Sequence, residues 1–276
     1  MCSYTMKQIL TNATLDTSSH LPLLLYKEKG LTPLATIVKY KQLHPEYLHT
    51  TLSYAGRLDP MAEGLLLVLP GELNKKRKEY EAFEKTYEFT MLCGVSTDTY
   101  DVLGKIVQTK DILPDLDLLE QQLQKTIDTL PSSFLQPYPP YSSKPIQGKP
   151  LFWWARENKL SEITIPTRRV SVMSCVLLSS TLLEKEALKD QIISDISRVS
   201  GDFRQKEILE AWEHFFATTP LSHFPLFTFL ATCSSGTYIR ALCKEFGEQV
   251  NIPSLAYSIK RTTIGPYVVE NSERLV

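Results

Sequence analysis

Long apolar runs are missing from this chain. Leu21 to Tyr26 is interrupted by Pro22 and followed by Lys27-Glu28-Lys29, and no other run reaches membrane-spanning length. The N-terminal residues also lack a basic stretch leading into a long apolar run and a small-residue cleavage site, so a cytoplasmic protein is expected. Cysteine is sparse: the 5 cysteines of 276 residues stand at Cys2, Cys93, Cys175, Cys233 and Cys243. No two form a CxxC-type pair, which argues against a zinc site and a disulfide framework and leaves small core residues. Glycine fingerprints for dinucleotides, a P-loop, HExxH and GxSxG are all absent. An excess of positive charge is absent too, with 30 Lys and Arg against 31 Asp and Glu. A grip on nucleic acid through bulk charge is therefore not expected. Three local patches remain, Lys75-Lys76-Arg77-Lys78, Arg168-Arg169 and Lys260-Arg261, although such runs are more often solvated faces.

What is present reads as an ordinary globular chain, 43% hydrophobic and 22% charged, long enough for one large or two small domains. Residues 1–20 are polar and mixed and predict a loosely ordered extension ahead of one domain over 21–276. Leu21 to Tyr26 predicts a strand, and Thr32-Pro33 a helix start, with Thr as cap and Pro in the first turn. Tyr54 to Asp59 reads as a loop, and Leu65 to Leu69, closed by Pro70-Gly71, as a buried strand. A charged helix is expected over Lys75 to Glu84, and strands over Thr86 to Val95 and Gly104 to Gln108. Leucines at helical spacing follow from Asp115 to Leu130. Gln136 to Tyr141 is too rich in proline for a helix or central strand. Then come a short helix over Leu151 to Glu157, a strand over Val170 to Ser179, a helix over Leu182 to Ser200 and a loop over Pro220 to Pro225. A strand over Phe227 to Cys233 and a helix over Tyr238 to Val250 complete the pass. This irregular alternation predicts a mixed α/β or α+β fold rather than a clean βαβ repeat.

Four segments carry candidate chemistry. Asp59 stands between Leu58 and Pro60 in a glycine-bounded loop, Gly56 to Gly64, that enters the buried strand. It is either a loop carboxylate held for catalysis or a turn aspartate bonding its own backbone, and the turn is the commoner role. In Ser234-Ser235-Gly236-Thr237-Tyr238-Ile239-Arg240, Arg240 falls at a helix N-terminus, where the helix dipole disfavours a cation. It needs an acidic partner. Lys85-Thr86-Tyr87 places an aromatic ring on a strand, as core or as a platform for a nucleobase. Pro139 to Lys144 with Gln147 to Phe152 forms a proline-rich loop suited to a ligand edge.

Taken in order, these segments resemble the TruB family of pseudouridine synthases. Gly-x-Leu-Asp-Pro-x-Ala-x-Gly appears at Gly56 to Gly64, Lys-x-Tyr at Lys85 and Tyr87, and Gly-x-x-Thr-Asp-Thr-x-Asp-x-x-Gly at Gly94 to Gly104. The Pro-Pro-x-Tyr-Ser pattern is echoed from Pro139 to Arg156, Gly-Thr-Tyr-Ile-Arg is intact at Gly236 to Arg240, and the closing Leu-x-Arg element is similar to Ile259 to Tyr267. The resemblance runs from about Leu21 to the C-terminus.

The resemblance implies a pseudouridine synthase fold, with a mixed, mostly antiparallel central sheet flanked by helices. It implies isomerisation of the T-loop uridine of tRNA, position 55, by base flipping. Asp59 would be the catalytic carboxylate, Arg240 its partner, and Tyr87 the ring that stacks on the base and assists proton transfer. Tyr238 and Ile259 would line the pocket, with Tyr54, Gly56, Arg57, Leu58 and Lys85 completing the substrate-binding set. No cofactor or metal is expected, the partner is the tRNA T-arm, and the chain is expected to act as a monomer without an obligate protein partner. Tyr54 stands where the family often has His. The Leu25 to Pro33 stretch is a degraded form of the family's N-terminal pattern. The chain is expected to be a short form without the PUA-type RNA-binding domain. The competing readings are a catalytically impaired RNA-binding or tRNA-folding protein on the same fold, the guide-RNA-dependent branch, and a carboxylate hydrolase. The first is disfavoured by the retained Asp59, Tyr87 and Arg240, the second by the missing extension, and the third by the want of a second acid in a comparable motif.

Overall fold

A computed structural model describes residues 21–275. The extension expected over 1–20 lies outside them. In chain order the elements are β1 (Leu23–Lys27), α1 (Pro33–Leu43), β2 (Leu52–Ala55), β3 (Ala62–Pro70), α2 (Arg77–Ala82), β4 (Lys85–Cys93), β5 (Val95–Thr97) and β6 (Ile106–Thr109). Then come α3 (Leu116–Asp128), β7 (Ser133–Pro137), β8 (Pro145–Ile146), β9 (Lys149–Pro150), α4 (Leu151–Arg156), β10 (Thr167–Glu184), α5 (Lys185–Ser197) and α6 (Gln205–Thr218). The chain closes with β11 (His223–Cys233), α7 (Ile239–Gln249), β12 (Ser254–Ile264), β13 (Tyr267–Val268) and β14 (Glu273–Arg274).

Among the described residues, ten strands form one sheet in the order β14-β1-β3-β12-β4-β11-β10-β7, with β2 added to β3 and β13 to β12. Within it β1 with β14 and β3 with β12 are parallel. The other pairings are antiparallel. This is the mixed, mostly antiparallel sheet flanked by helices that the sequence led us to expect. The β3 run Leu65 to Leu69 is wholly buried because both of its faces are covered. On β4, alternation separates two cores. Tyr87, Phe89, Met91 and Cys93 face α3 and α7 through Leu119, Leu123, Leu242 and Phe246. Leu92 faces the α5–α6 pair, which supplies Leu188, Ile192, Trp212 and Phe216.

Local signals account for several boundaries. The Thr32 hydroxyl accepts the Ala35 N–H at 3.1 Å and Pro33 opens α1. Elsewhere pairing overrides local pattern. The charged helix expected over Lys75 to Glu84 is a 3₁₀ turn, Gly71–Lys76, followed by α2. Leu182 and Leu183 belong to β10 rather than to the following helix, and the expected loop up to Pro225 is already β11 from His223. Pro225 is tolerated there because β4 pairs with β11 only from Leu226 onward, so one side of β11 has no ladder at that point. Glu184 and His223 pair directly, and the α5–α6 hairpin is inserted between them. Cys93, Cys233 and Cys243 are buried and unpaired with other cysteines, as core residues should be. No helix among the described residues is long and apolar enough to cross a membrane.

Candidate active site

The loop between β2 and β3 is pinned from several directions. Leu58 is buried in the core under α7, and Met61, three residues on, in the core under α5 and α6. Arg261 from β12 reaches under both ends of the loop, its Nε donating to the Leu65 carbonyl at 2.8 Å and its Nη2 to the Gly56 carbonyl at 3.1 Å. The Gly30 N–H and the Lys27 ammonium donate to the Pro60 carbonyl at 2.9 and 3.3 Å. Gly64 is required at the far end. Its φ is +102°, and a Cβ there would stand 2.4 Å from the Arg261 carbonyl oxygen on the paired strand β12. Fixed in this way, the loop leaves the Asp59 side chain 33% exposed to a cavity of about 1050 Å³.

Arg240, in the first turn of α7, has the acidic partners its position demands. Its Nε donates to Asp59 Oδ2 at 2.8 Å and lies 3.5 Å from Asp101 Oδ2. Its Nη1 donates to the Thr99 carbonyl and its Nη2 to the Tyr141 carbonyl at 3.4 Å. Burial works against its charge, but the Asp59 and Asp101 carboxylates outweigh it and hold the guanidinium above its ordinary range. Asp101 is also raised, but for an acid that disfavours the charged form. Burial pushes its carboxyl up to about 6, against the pull of Arg240 and the hydrogen bonds from the Thr99 hydroxyl and Leu103 N–H. It remains ionised at neutral pH. Gln136 sets the entry to α7, bonding the Tyr238 N–H at 2.8 Å and the Tyr238 carbonyl at 3.2 Å.

Of the other expected residues, Tyr87, Tyr238, Ile259, Gly56, Arg57, Leu58 and Lys85 all line the same cavity. Burial raises the Tyr87 and Tyr238 phenols above their ordinary range. Lys85 faces inward, donating to the Glu81 and Phe83 carbonyls, and burial with the nearby Arg261 lowers its ammonium to about 8. Tyr54 is not among the lining residues. It packs with Leu25, Ile37 and Val68 on the α1 side, with the Arg77 guanidinium 5.6 Å from its ring. Strand β2 accounts for this, since Tyr54 pairs with Val68 two residues before the chain turns toward the cleft.

The cleft is strongly basic although the chain is not. Among the described residues, nine Lys and Arg side chains line it against four Asp and Glu. Arg168 and Arg169 at the start of β10, and Lys78 from α2, belong to two of the patches read from the sequence. Arg57 donates to the Ser143 hydroxyl at 2.7 Å and so ties the Asp59 loop to the proline-rich loop. Sequence reasoning missed three groups. Arg261 was grouped with a surface run, although its spacing of two from Ile259 on a strand places both on one face. Asp101 falls in the Gly94 to Gly104 motif, where nothing local marks it as a partner for Arg240. Lys27, fully buried, also braces the Asp59 loop, and burial lowers its ammonium to about 7 despite the Asp59 charge. No group of three or more His, Cys, Asp or Glu among the described residues is placed to hold a metal ion.

A chain in the crystal structure of a Cbf5–Nop10–Gar1 complex shares this fold, with a TM-score of 0.54 over 92% of this chain at 15% identity. The present chain spans about half of that one, 52%. A second likeness, at TM-score 0.51 and 15% identity, is to a structure of an H/ACA RNP bound to a substrate RNA containing 2′-deoxyuridine. At this identity the two likenesses show the fold. Residues 47–192 match the N-terminal domain of the TruB family pseudouridylate synthases, and the chain belongs to that family. It is similar to tRNA pseudouridine synthase B of Bacillus cereus, 28% identical over 248 residues covering 90% of this chain and 67% of the relative. The Aquifex aeolicus protein of the same name is 27% identical over 92% of this chain and 71% of its own length.

Proposed function

We propose that this protein is a tRNA pseudouridine synthase that isomerises the T-loop uridine at position 55, with Asp59 as the catalytic carboxylate. The observation that carries the reading is the 2.8 Å bond from Arg240 Nε to Asp59 Oδ2 in a cleft lined by Tyr87, Tyr238 and Ile259. The pair fixes one oxygen of the carboxylate while the side chain stays open to the cavity, as a group that must reach a sugar carbon or a base requires.

The chemistry is an internal transfer. The N1–C1′ bond of the uridine breaks and its electron pair stays on the uracil. The ring turns, C5 forms the new bond to C1′, C5 loses its proton and N1 gains one. No oxidant, reductant or added group is consumed. The target base has to leave its stack first, at a cost of about a few kcal/mol. Tyr87 offers its ring as the platform for the flipped uracil, Ile259 and Tyr238 bound the pocket, and the basic rim receives the RNA phosphates. The intact Asp59–Arg240 pair weighs against the impaired-enzyme reading, because a protein that only binds RNA has no use for an open carboxylate in an electropositive cleft.

Pseudouridine mapping on tRNA incubated with the purified protein tests activity and position together. We expect modification at position 55 by the native chain and none by Asp59→Asn. Full activity in that variant would sink the assignment of Asp59.

A further inference from the structure

The turn from Thr97 to Leu103 serves two arginines at once. Asp101 faces Arg240, as described above. Asp98, three residues earlier, faces Arg204 from the connection between α5 and α6, where Nη1 meets Asp98 Oδ2 at 2.9 Å and Nη2 meets Oδ1 at 3.3 Å. The same Asp98 oxygen, Oδ1, accepts the Lys105 N–H at 2.8 Å, which fixes the carboxylate plane. The Arg204 guanidinium also lies 4.2 Å from the centre of the Tyr141 ring. Tyr141 is the residue whose carbonyl accepts from Arg240 Nη2. The two arginines therefore grip one residue of the proline-rich loop, Arg240 by its backbone and Arg204 by its side chain.

The hairpin tip that carries Arg204 is itself held. The Ser200 N–H donates to the Gly30 carbonyl at 3.0 Å, Lys29 pairs with Asp195 at 2.9 Å, and Arg156 Nη2 donates to the Asp202 carbonyl at 2.9 Å. Arg204 has a φ of +64°, a left-handed conformation that arginine rarely adopts. Strain of that kind is kept where the surrounding contacts over-determine the residue. Asp202, Phe203 and Arg204 line the same cavity as Asp59.

We infer that Arg204 is a positioning residue of this active site: by clasping Asp98 and the Tyr141 ring, it holds the proline-rich segment 138–144 closed along the cleft beside Arg240. The inserted α5–α6 hairpin then acts as a buttress for the substrate wall as well as a cover for the sheet. Loosening the clasp leaves the Asp59–Arg240 pair intact but makes RNA binding bear the entropy of ordering the loop. Its signature is a rise in KM with little change in kcat.

Two variants open the clasp from opposite sides. Arg204→Asn removes the cation with a residue that tolerates the left-handed backbone, and Tyr141→Leu removes the ring and leaves the hairpin untouched. Hydrogen exchange on the free protein is expected to show amides of 138–144 exchanging about tenfold faster in both, with β4 and α7 unchanged. With tRNA, KM is expected to rise about tenfold while kcat stays within about twofold. Arg204→Lys, which keeps a charge but not the planar fork on Asp98 and the Tyr141 ring, should recover only part of the loss in KM. Unchanged exchange in both variants, or a fall in kcat at unchanged KM, would overturn the inference. The kinetic half rests on the proposed uridine isomerisation and the exchange half does not. A native protein that forms no pseudouridine would therefore defeat the proposed function while the exchange result still decides the clasp.

Discussion

Arg240 on the floor of the cleft and Arg168 on its rim carry the same charge in opposite settings. Arg240 is buried, and three of its nitrogens have named acceptors, with Asp59, Asp101, Thr99 and Tyr141 around it. Arg168 is exposed beside Arg169, with its guanidinium lying over Gly236. On the floor, charge is desolvated and has to be satisfied inside the protein, so any change there disturbs the chemistry and the fold together. On the rim, charge stays in water, contributes little to stability and remains free for an external anion. Under the proposed function, the difference separates groups that shape the reaction from groups that recruit the RNA, and each can be broken on its own.

The largest effect is expected at Asp59. Asp59→Asn should lower single-turnover pseudouridine formation by more than about a thousandfold, because the transition state loses its carboxylate. Binding of a T-arm RNA, measured by fluorescence anisotropy, should stay within about threefold, since the rim is untouched. A comparable loss of binding would erase the separation between floor and rim. Next comes Arg240→Ala, which strands Asp101 in the interior without its cation. Urea denaturation should show a loss of about 3–5 kcal/mol, the scale for breaking a buried pair from one side. A loss under about 1 kcal/mol would mean that water reaches Asp101 as freely as it reaches a surface carboxylate.

The same contrast governs what could be read from the sequence. That Asp59, Tyr87, Tyr238, Arg240 and Ile259 gather at one cavity was legible because each stands in a short motif and the motifs keep one order. The need of Arg240 for an acid followed from its place at a helix start alone. Arg261 was hidden by its neighbour Lys260, which makes the two look like a surface run, although strand alternation with Ile259 turns Arg261 inward. Tyr54, expected in a loop and in the substrate-binding set, lies on β2 and packs away from the cavity, because the strand continues through it to Ala55. In the fold, the β3 run and the Thr32-Pro33 start carried their own signals. The ends of β10 and β11 did not, because only the Glu184–His223 pairing shows that the strands continue through Leu182 and Pro225. Helix α6 had a usable signal in the spacing of Ile208, Trp212, Phe215 and Phe216. Arg204 had none, as a lone arginine in a left-handed turn matches no pattern until its partners are brought beside it.

Asp101 sharpens the floor side of the comparison through pH. Its carboxyl titrates near 6 in the folded chain against an ordinary 3.8, because burial disfavours the charge. The ionised form is the one that shares Arg240 with Asp59, so native activity should fall as the pH drops through about 6. Stability should move in the opposite sense. The folded state takes up this proton before the unfolded state does, so protonation favours folding as the pH falls from above 6 toward 3.8. Asp101→Asn should therefore lower activity at neutral pH by about tenfold to a hundredfold, flatten the acid limb of the rate profile and remove this contribution from the melting curve. Identical acid limbs in the native and variant proteins would assign the titration to another group.

The smallest effect is expected on the rim. A phosphate contact contributes about 0.7 to 0.9 to the slope of log affinity against log salt, depending on strandedness. Replacing Arg168 and Arg169 together by Gln should lower the slope of tRNA binding by about 1.5. It should weaken binding several-fold at low salt and leave kcat at saturating RNA within about twofold, because neither side chain touches the Asp59–Arg240 pair. The melting temperature should stay within about 2 °C, as expected for exposed charges without buried partners. A flat salt response in the native protein would remove the rim's role in recruiting RNA. A large fall in kcat in the double variant would show that Arg168, through its contact over Gly236, sets the geometry of the Gly236 to Arg240 segment, and the boundary between recruiting and reacting residues would then run through Gly236.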